Sequence, residues 1–107
     1  LNRGGRKRHR VNRNRRSKRQ HSSKILKMNY RWVAEGRAQK KYKTLEVLNS
    51  YLLAKDGIHY FFEVILVDRN QPTIKADKTI NWICSVKNKN RVTRGITSAG
   101  KKARGLR

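Results

Sequence analysis

The sequence predicts an α+β fold: a small, mainly antiparallel sheet covered by one helix, with long extended basic arms. Three observations carry this. Two apolar, strand-like runs at about 45–54 and 58–67 flank Lys55, Asp56 and Gly57. A stripe of apolar residues at helical spacing precedes them, over about 28–42. Charge is segregated to the ends: 1–19 holds ten Lys+Arg and no acid, and 85–107 holds eight and no acid. The chain of 107 residues is at most one domain's worth. It divides into a basic arm over 1–24, a core over 25–84 and a second basic arm over 85–107. The apolar fraction, 36%, is below the usual level of about 45–50%, so the core must be small.

The first arm has only Leu1 and Val11 as large apolar residues. Arg outnumbers Lys eight to two over 1–19. Arg donates bidentately and stacks on bases, so the ratio favours nucleic acid over a merely soluble surface. With no apolar face, the arm does not read as a membrane helix. Tails of this composition repel themselves and order only on a polyanion.

The helix comes next. Ser22 and Ser23 are candidate caps. Met28, Trp32, Val33, Ala38 and Tyr42 suit one helical face, and Arg31, Arg37, Lys40 and Lys41 the others. Gly36 sits mid-helix, where it costs about 1 kcal/mol relative to Ala. It either weakens the helix or lets another backbone come close.

In the hairpin, strict alternation puts Leu45, Val47, Asn49, Tyr51 and Leu53 on one face of the first strand. In the second, Ile58, Tyr60, Phe62, Val64 and Leu66 alternate with His59, Phe61, Glu63, Ile65 and Val67. Asp56-Gly57 is the turn signal. A lone two-stranded ribbon is marginal in water, so a third strand is expected.

After Asp68, Pro72 can open a short helix. Ile74, Ile80, Trp82, Ile83 and Val86 are the expected anchors back onto the domain, with Trp82 in the core rather than stacking on a base. The last stretch, over 85–107, reads as a second extended arm.

The same features exclude most other function classes. All six acids (Glu35, Glu46, Asp56, Glu63, Asp68, Asp77) lie in 20–84 and are dispersed, so no acid/base pair stands out. His9, His21 and His59 are scattered, and with Cys84 alone there is neither a disulfide nor a zinc signature. The TSAGKK run at 97–102 lacks the glycine spacing and the Gly-Lys-Ser/Thr order of a phosphate loop. No apolar run approaches the roughly 18 residues of a membrane span. No enzyme is expected. Nucleic-acid binding remains, as a ribonucleoprotein component or alternatively as a non-specific, chromatin-like DNA-binding protein. The expected contacts are Arg3, Arg6, Lys7, Arg8, Arg10, Arg13, Arg15, Arg16, Lys18 and Arg19 in the first arm. In the second they are Arg91, Arg94, Lys101, Lys102, Arg104 and Arg107.

LEVLNSY (45–51), FFEVILVD (61–68), NWI (81–83) and RGITSAGKKARGLR (94–107) together resemble one family. It is the archaeal and eukaryotic large-subunit ribosomal protein fifteen-e, distinct from bacterial protein fifteen. RGGRKR (3–8) and AEGRAQKKY (34–42) match too. The chain resembles the middle and late portion of that family, and its Trp-Ile-Cys form at 82–84 leans archaeal. The resemblance implies an α+β domain whose basic extensions lie in large-subunit rRNA, with the cations of 3–8 and 94–107 facing it. The arm from Arg10 to Arg19 is basic in the family as well, without position-by-position correspondence. The resemblance also implies a strand just upstream of the RGG segment, of which Leu1 and Asn2 are the remnant. Three positions depart from the family pattern: Gly36, commonly Glu, and Leu52-Leu53, commonly Trp-Val. The expected partners are large-subunit rRNA and neighbouring ribosomal proteins, in the cytoplasmic ribosome. No membrane, small-molecule substrate or homo-oligomer is expected, and no cofactor beyond structural Mg or K ions of the rRNA.

Overall fold

Helix α1 (Tyr30–Lys41) starts because Asn29 caps it: the Asn29 side chain accepts from the Trp32 N–H at 2.8 Å. The computed structural model describes residues 27–107. The first arm, the Ser22 and Ser23 caps and the strand expected upstream of Leu1 lie outside the described residues. Lys40 and Lys41 close α1, where the helix dipole favours cations.

Strands β1 (Glu46–Lys55) and β2 (Tyr60–Val67) pair antiparallel, as the two apolar runs predict. Among the described residues the sheet has these two strands alone. Asp56 closes the turn. Its carboxylate accepts from the N–H groups of Ile58 and His59, and its own N–H donates to the His59 carbonyl at 2.9 Å.

The register departs from strict alternation at two points on β1, between Val47 and Asn49 and between Leu52 and Ala54. Each irregularity inserts one residue, Leu48 and then Leu53, and flips the faces beyond it. Val47 therefore shares a face with Ser50 and Leu52, not with the expected Asn49, Tyr51 and Leu53. Their partners Leu66, Val64 and Phe62 complete that face. It is the face that packs against α1, with Tyr30 and Tyr60 ring centroids 5.2 Å apart. β2 alternates cleanly, so Phe61, Glu63 and Ile65 point the other way and stay exposed.

Beyond β2 lies α2 (Pro72–Ala76), opened by its proline as expected. Two 3₁₀ turns follow, Asn81–Cys84 and Val86–Asn88. Arg69 ties this part down by donating to the carbonyls of Ile83, Cys84 and Ser85 at 2.9–3.2 Å. Ile83 is fully buried, whereas Val86, expected to pack back, is 83% exposed.

The segment expected to be a second extended arm is folded. It forms turns over 89–95 and a short helix, α3 (Ser98–Ala103). Its Val92 and Ala99 join Val47, Val67 and Ile83 as the buried apolar core. Few of its residues are large and apolar, so burial alone would not order it. Specific polar contacts to α1 and β1 do, and they shape the candidate site.

Candidate RNA-binding surface

Three links fix the C-terminal segment on the domain. Thr97, the N-cap of α3, accepts from the Gly100 N–H at 3.2 Å and donates its hydroxyl to Glu35 Oε2 at 2.7 Å. Glu35 is fully buried on α1, and its other oxygen accepts from the Ser50 hydroxyl of β1 at 2.5 Å. One carboxylate thus joins helix, sheet and C-terminal segment. Glu46 makes the second link, accepting from the backbone N–H groups of Asn90 and Arg91 at 3.1 and 2.9 Å. Asn90 there adopts a left-handed φ of 55°, which asparagine tolerates. The third link comes from α1: Trp32 Nε1 donates to the Val92 carbonyl at 2.8 Å, and Asn29 Nδ2 to the Ala99 carbonyl at 3.1 Å. Gly95 and Gly100 allow the close fit. A Cβ on Gly100 would sit 2.7 Å from the Gly95 Cα.

The expected contact residues then separate. Lys101 and Lys102 are exposed on α3. Arg94 and Arg104 are exposed yet brace backbone: Arg94 donates to the carbonyls of Lys87 and Lys89, and Arg104 to those of Arg94 and Gly95. Arg107 donates to the Ser98 hydroxyl at 2.5 Å. None of these five ion-pairs with a carboxylate among the described residues. Arg3, Arg6, Lys7, Arg8, Arg10, Arg13, Arg15, Arg16, Lys18 and Arg19 lie outside the described residues.

Arg91 is different. Only 8% exposed, it is an internal cation, and its guanidinium lies 4.6 Å over the Trp82 ring. Burial pulls its pKa down, partly opposed by the nearby carboxylates of Glu46 and Glu35. Trp82 is correspondingly half outside the core, at 42% exposure, with the cation over its ring.

The two cation types divide the labour. Every lysine among the described residues is exposed, whereas Arg31 and Arg69 are half-buried and hydrogen-bonded to the protein itself and Arg91 is buried against the Trp82 ring. Arg31, for example, donates to the Ser50 hydroxyl and to Asn49 Oδ1 at 2.9 and 2.8 Å. The guanidinium fork suits several fixed acceptors at once, whereas the ammonium is strongly hydrated and stays in water.

The acids complete this division, because all six accept hydrogen bonds from the protein. Glu35 and Glu46 hold the C-terminal segment, and Glu63 takes the Tyr51 hydroxyl at 2.5 Å. Asp56, Asp68 and Asp77 each close a local turn. The backbone N–H groups of His59 and Ile58 hold the Asp56 carboxyl below its usual range, and the Thr79 hydroxyl and N–H do the same for Asp77. The hydrogen bond to Glu63 pushes the Tyr51 phenol up.

Sequence reasoning missed the roles of Glu35, Ser50, Glu46 and Thr97. One signal was available: Glu35 lies three residues after Trp32, on the helical face that faces the core. Among the described residues no group of three His, Cys, Asp or Glu side chains could hold a metal, and no helix is long and apolar enough to cross a membrane. The profile of a family described as Ribosomal L15, the L15e family, matches residues 1–107, the full length of the chain. On that match the chain belongs to the ribosomal L15e family of large-subunit ribosomal proteins.

Proposed function

We propose that this chain is a structural constituent of the large ribosomal subunit that binds and stabilises rRNA through its basic segments. The observation that carries the reading is the use of its carboxylates. All six accept hydrogen bonds inside the protein, and the exposed lysines carry a net charge that another molecule must balance. A polyanion would supply that balance, and membership of the L15e family supports rRNA as that polyanion. On this reading the domain holds Lys101, Lys102, Arg94, Arg104 and Arg107 on one folded platform. The first arm adds its ten cations, and other large-subunit proteins are its neighbours.

Affinity should then be dominated by counterion release. With about ten phosphates neutralised, log K falls against log salt with a slope of about −7 to −9. The test is sedimentation with large subunits through a moderate-salt wash, with duplex DNA as competitor at matched salt. Retention on the subunit supports the reading. Recovery only in nucleoid or chromatin fractions overturns it.

A further inference from the structure

The division of cations leaves one concave site unused. A pocket of about 720 Å³ opens between α1 and the turn around Val92, within the size range of small-ligand sites. Its apolar lining includes Trp32, Val33 and Val92. Arg37, Lys40 and Lys43 also line it and are exposed, and no acid does. Gln39 lines it as well. Its Nε2 donates to the carbonyls of Leu45 and Tyr42 at 2.6 and 3.3 Å, which fixes the orientation of the amide. Gln39 Oε1 is left buried with no partner among the described residues.

An aromatic ring with aliphatic walls and three cations is the chemistry of a single nucleotide. Unpaired RNA bases are recognised by stacking on aromatic side chains and by hydrogen bonds to their edges. We propose that this pocket takes one unpaired rRNA nucleotide, its base against Trp32 and its phosphates at Arg37, Lys40 and Lys43. The proposal rests on the rRNA-binding reading above. It adds a base-recognising site to what would otherwise be backbone binding alone.

Gly36 keeps the pocket open. It lines the pocket, and a Cβ built on it meets only Val92 Cγ1, at an ordinary 3.9 Å. A methyl there fits the protein, and a larger side chain would reach into the space the base would occupy.

The test uses the full chain and large-subunit rRNA, with ultraviolet crosslinking and mass spectrometry to locate nucleotide adducts. The wild type is expected to carry an adduct on the peptide containing Trp32. Gly36→Leu should reduce it about tenfold, with rRNA retention on a filter changed less than about twofold because the remaining phosphate contacts persist. Lys40→Gln with Lys43→Gln should weaken the adduct more than Lys75→Gln with Lys78→Gln, which removes the same charge elsewhere. An adduct that survives Gly36→Leu overturns the proposal, as does equal loss in the two lysine pairs. A fall in Tm in both Gly36→Leu and Gly36→Ala also overturns it. That result would mean that the chain itself fills the pocket. Wild-type rRNA retention without any Trp32 adduct overturns the pocket alone, whereas no retention at all overturns the rRNA-binding reading itself.

Discussion

The two faces of the hairpin carry comparable apolar residues and meet opposite fates. The face of Val47, Ser50, Val64 and Leu66 lies under α1. The face of Tyr51, Phe61 and Ile65 is buried only at its far end, at Glu46 and Val67, and is otherwise open, with Phe61 49% and Tyr51 45% exposed. Hydropathy does not distinguish them. The difference is where their polar anchors sit: Ser50, midway along the first face, reaches Glu35, which also takes Thr97, whereas Glu46 anchors the second face at its end alone. Packing supplies most of the stabilisation, but the buried carboxylate selects which surfaces meet. A half-satisfied buried group is costly, so the three elements close together or not at all.

This contrast is most strongly tested at Glu35. Glu35→Ala leaves two hydroxyls without their acceptor and should cost about 2–5 kcal/mol. The measurement is the urea midpoint at unchanged m-value. A loss below about 1 kcal/mol would show that apolar contact alone joins the layers. Gly100→Ala comes next. Its Cβ meets Gly95 backbone atoms at 2.7–2.9 Å, so α3 must move, at about 1–3 kcal/mol in the same titration. Gly36→Ala goes the other way, adding about 0.5–1 kcal/mol because the helix loses a flexible residue and meets no clash. On the open face, Ile65→Thr should stay within about 0.5 kcal/mol.

The smallest effect is local and depends on pH. The Asp56 and Asp77 carboxyls are held below the usual aspartate value of 3.8, so their ionised forms favour the folded turns. That contribution is complete above pH 3.8 and is lost as pH falls through the lower folded values. In an acid NMR titration the Ile58 and His59 amide shifts should follow Asp56, and the Thr79 amide should follow Asp77. Amides that do not move below pH 3.8 would break the assignment.

Much of this was legible in the sequence. The helix over 28–42, both strands, the Asp56 turn and the Pro72 helix start are local signals, and each is found within a few residues of its expected place. The face assignment on β1 was not legible, because the extra residues at Leu48 and Leu53 flip alternation without leaving a mark in composition. The folded state of 86–103 was hidden for another reason. A segment rich in Lys, Arg and Gly carries almost no apolar signal, and its order depends on acceptors far away in sequence, at Glu35 and Glu46. Arg91, expected among the RNA contacts on the same grounds, is only 8% exposed. Charge predicts exposure on average, but here the cation lies inside, against the Trp82 ring.

The Glu35–Thr97 bond spans 62 residues. At about 5–20 residues per second, that stretch takes the ribosome about 3–12 s to synthesise. For that interval the emerging α1 has its carboxylate but not its last partner, and the Trp32 edge lacks the Val92 carbonyl it will bond. The domain can lock only after nearly all of it has been made. A newborn chain is therefore an open, strongly cationic form first and a closed one afterwards. A nascent-chain series truncated on either side of Thr97 would time that closure, with protease resistance rising only when Thr97 is included and free of the exit tunnel.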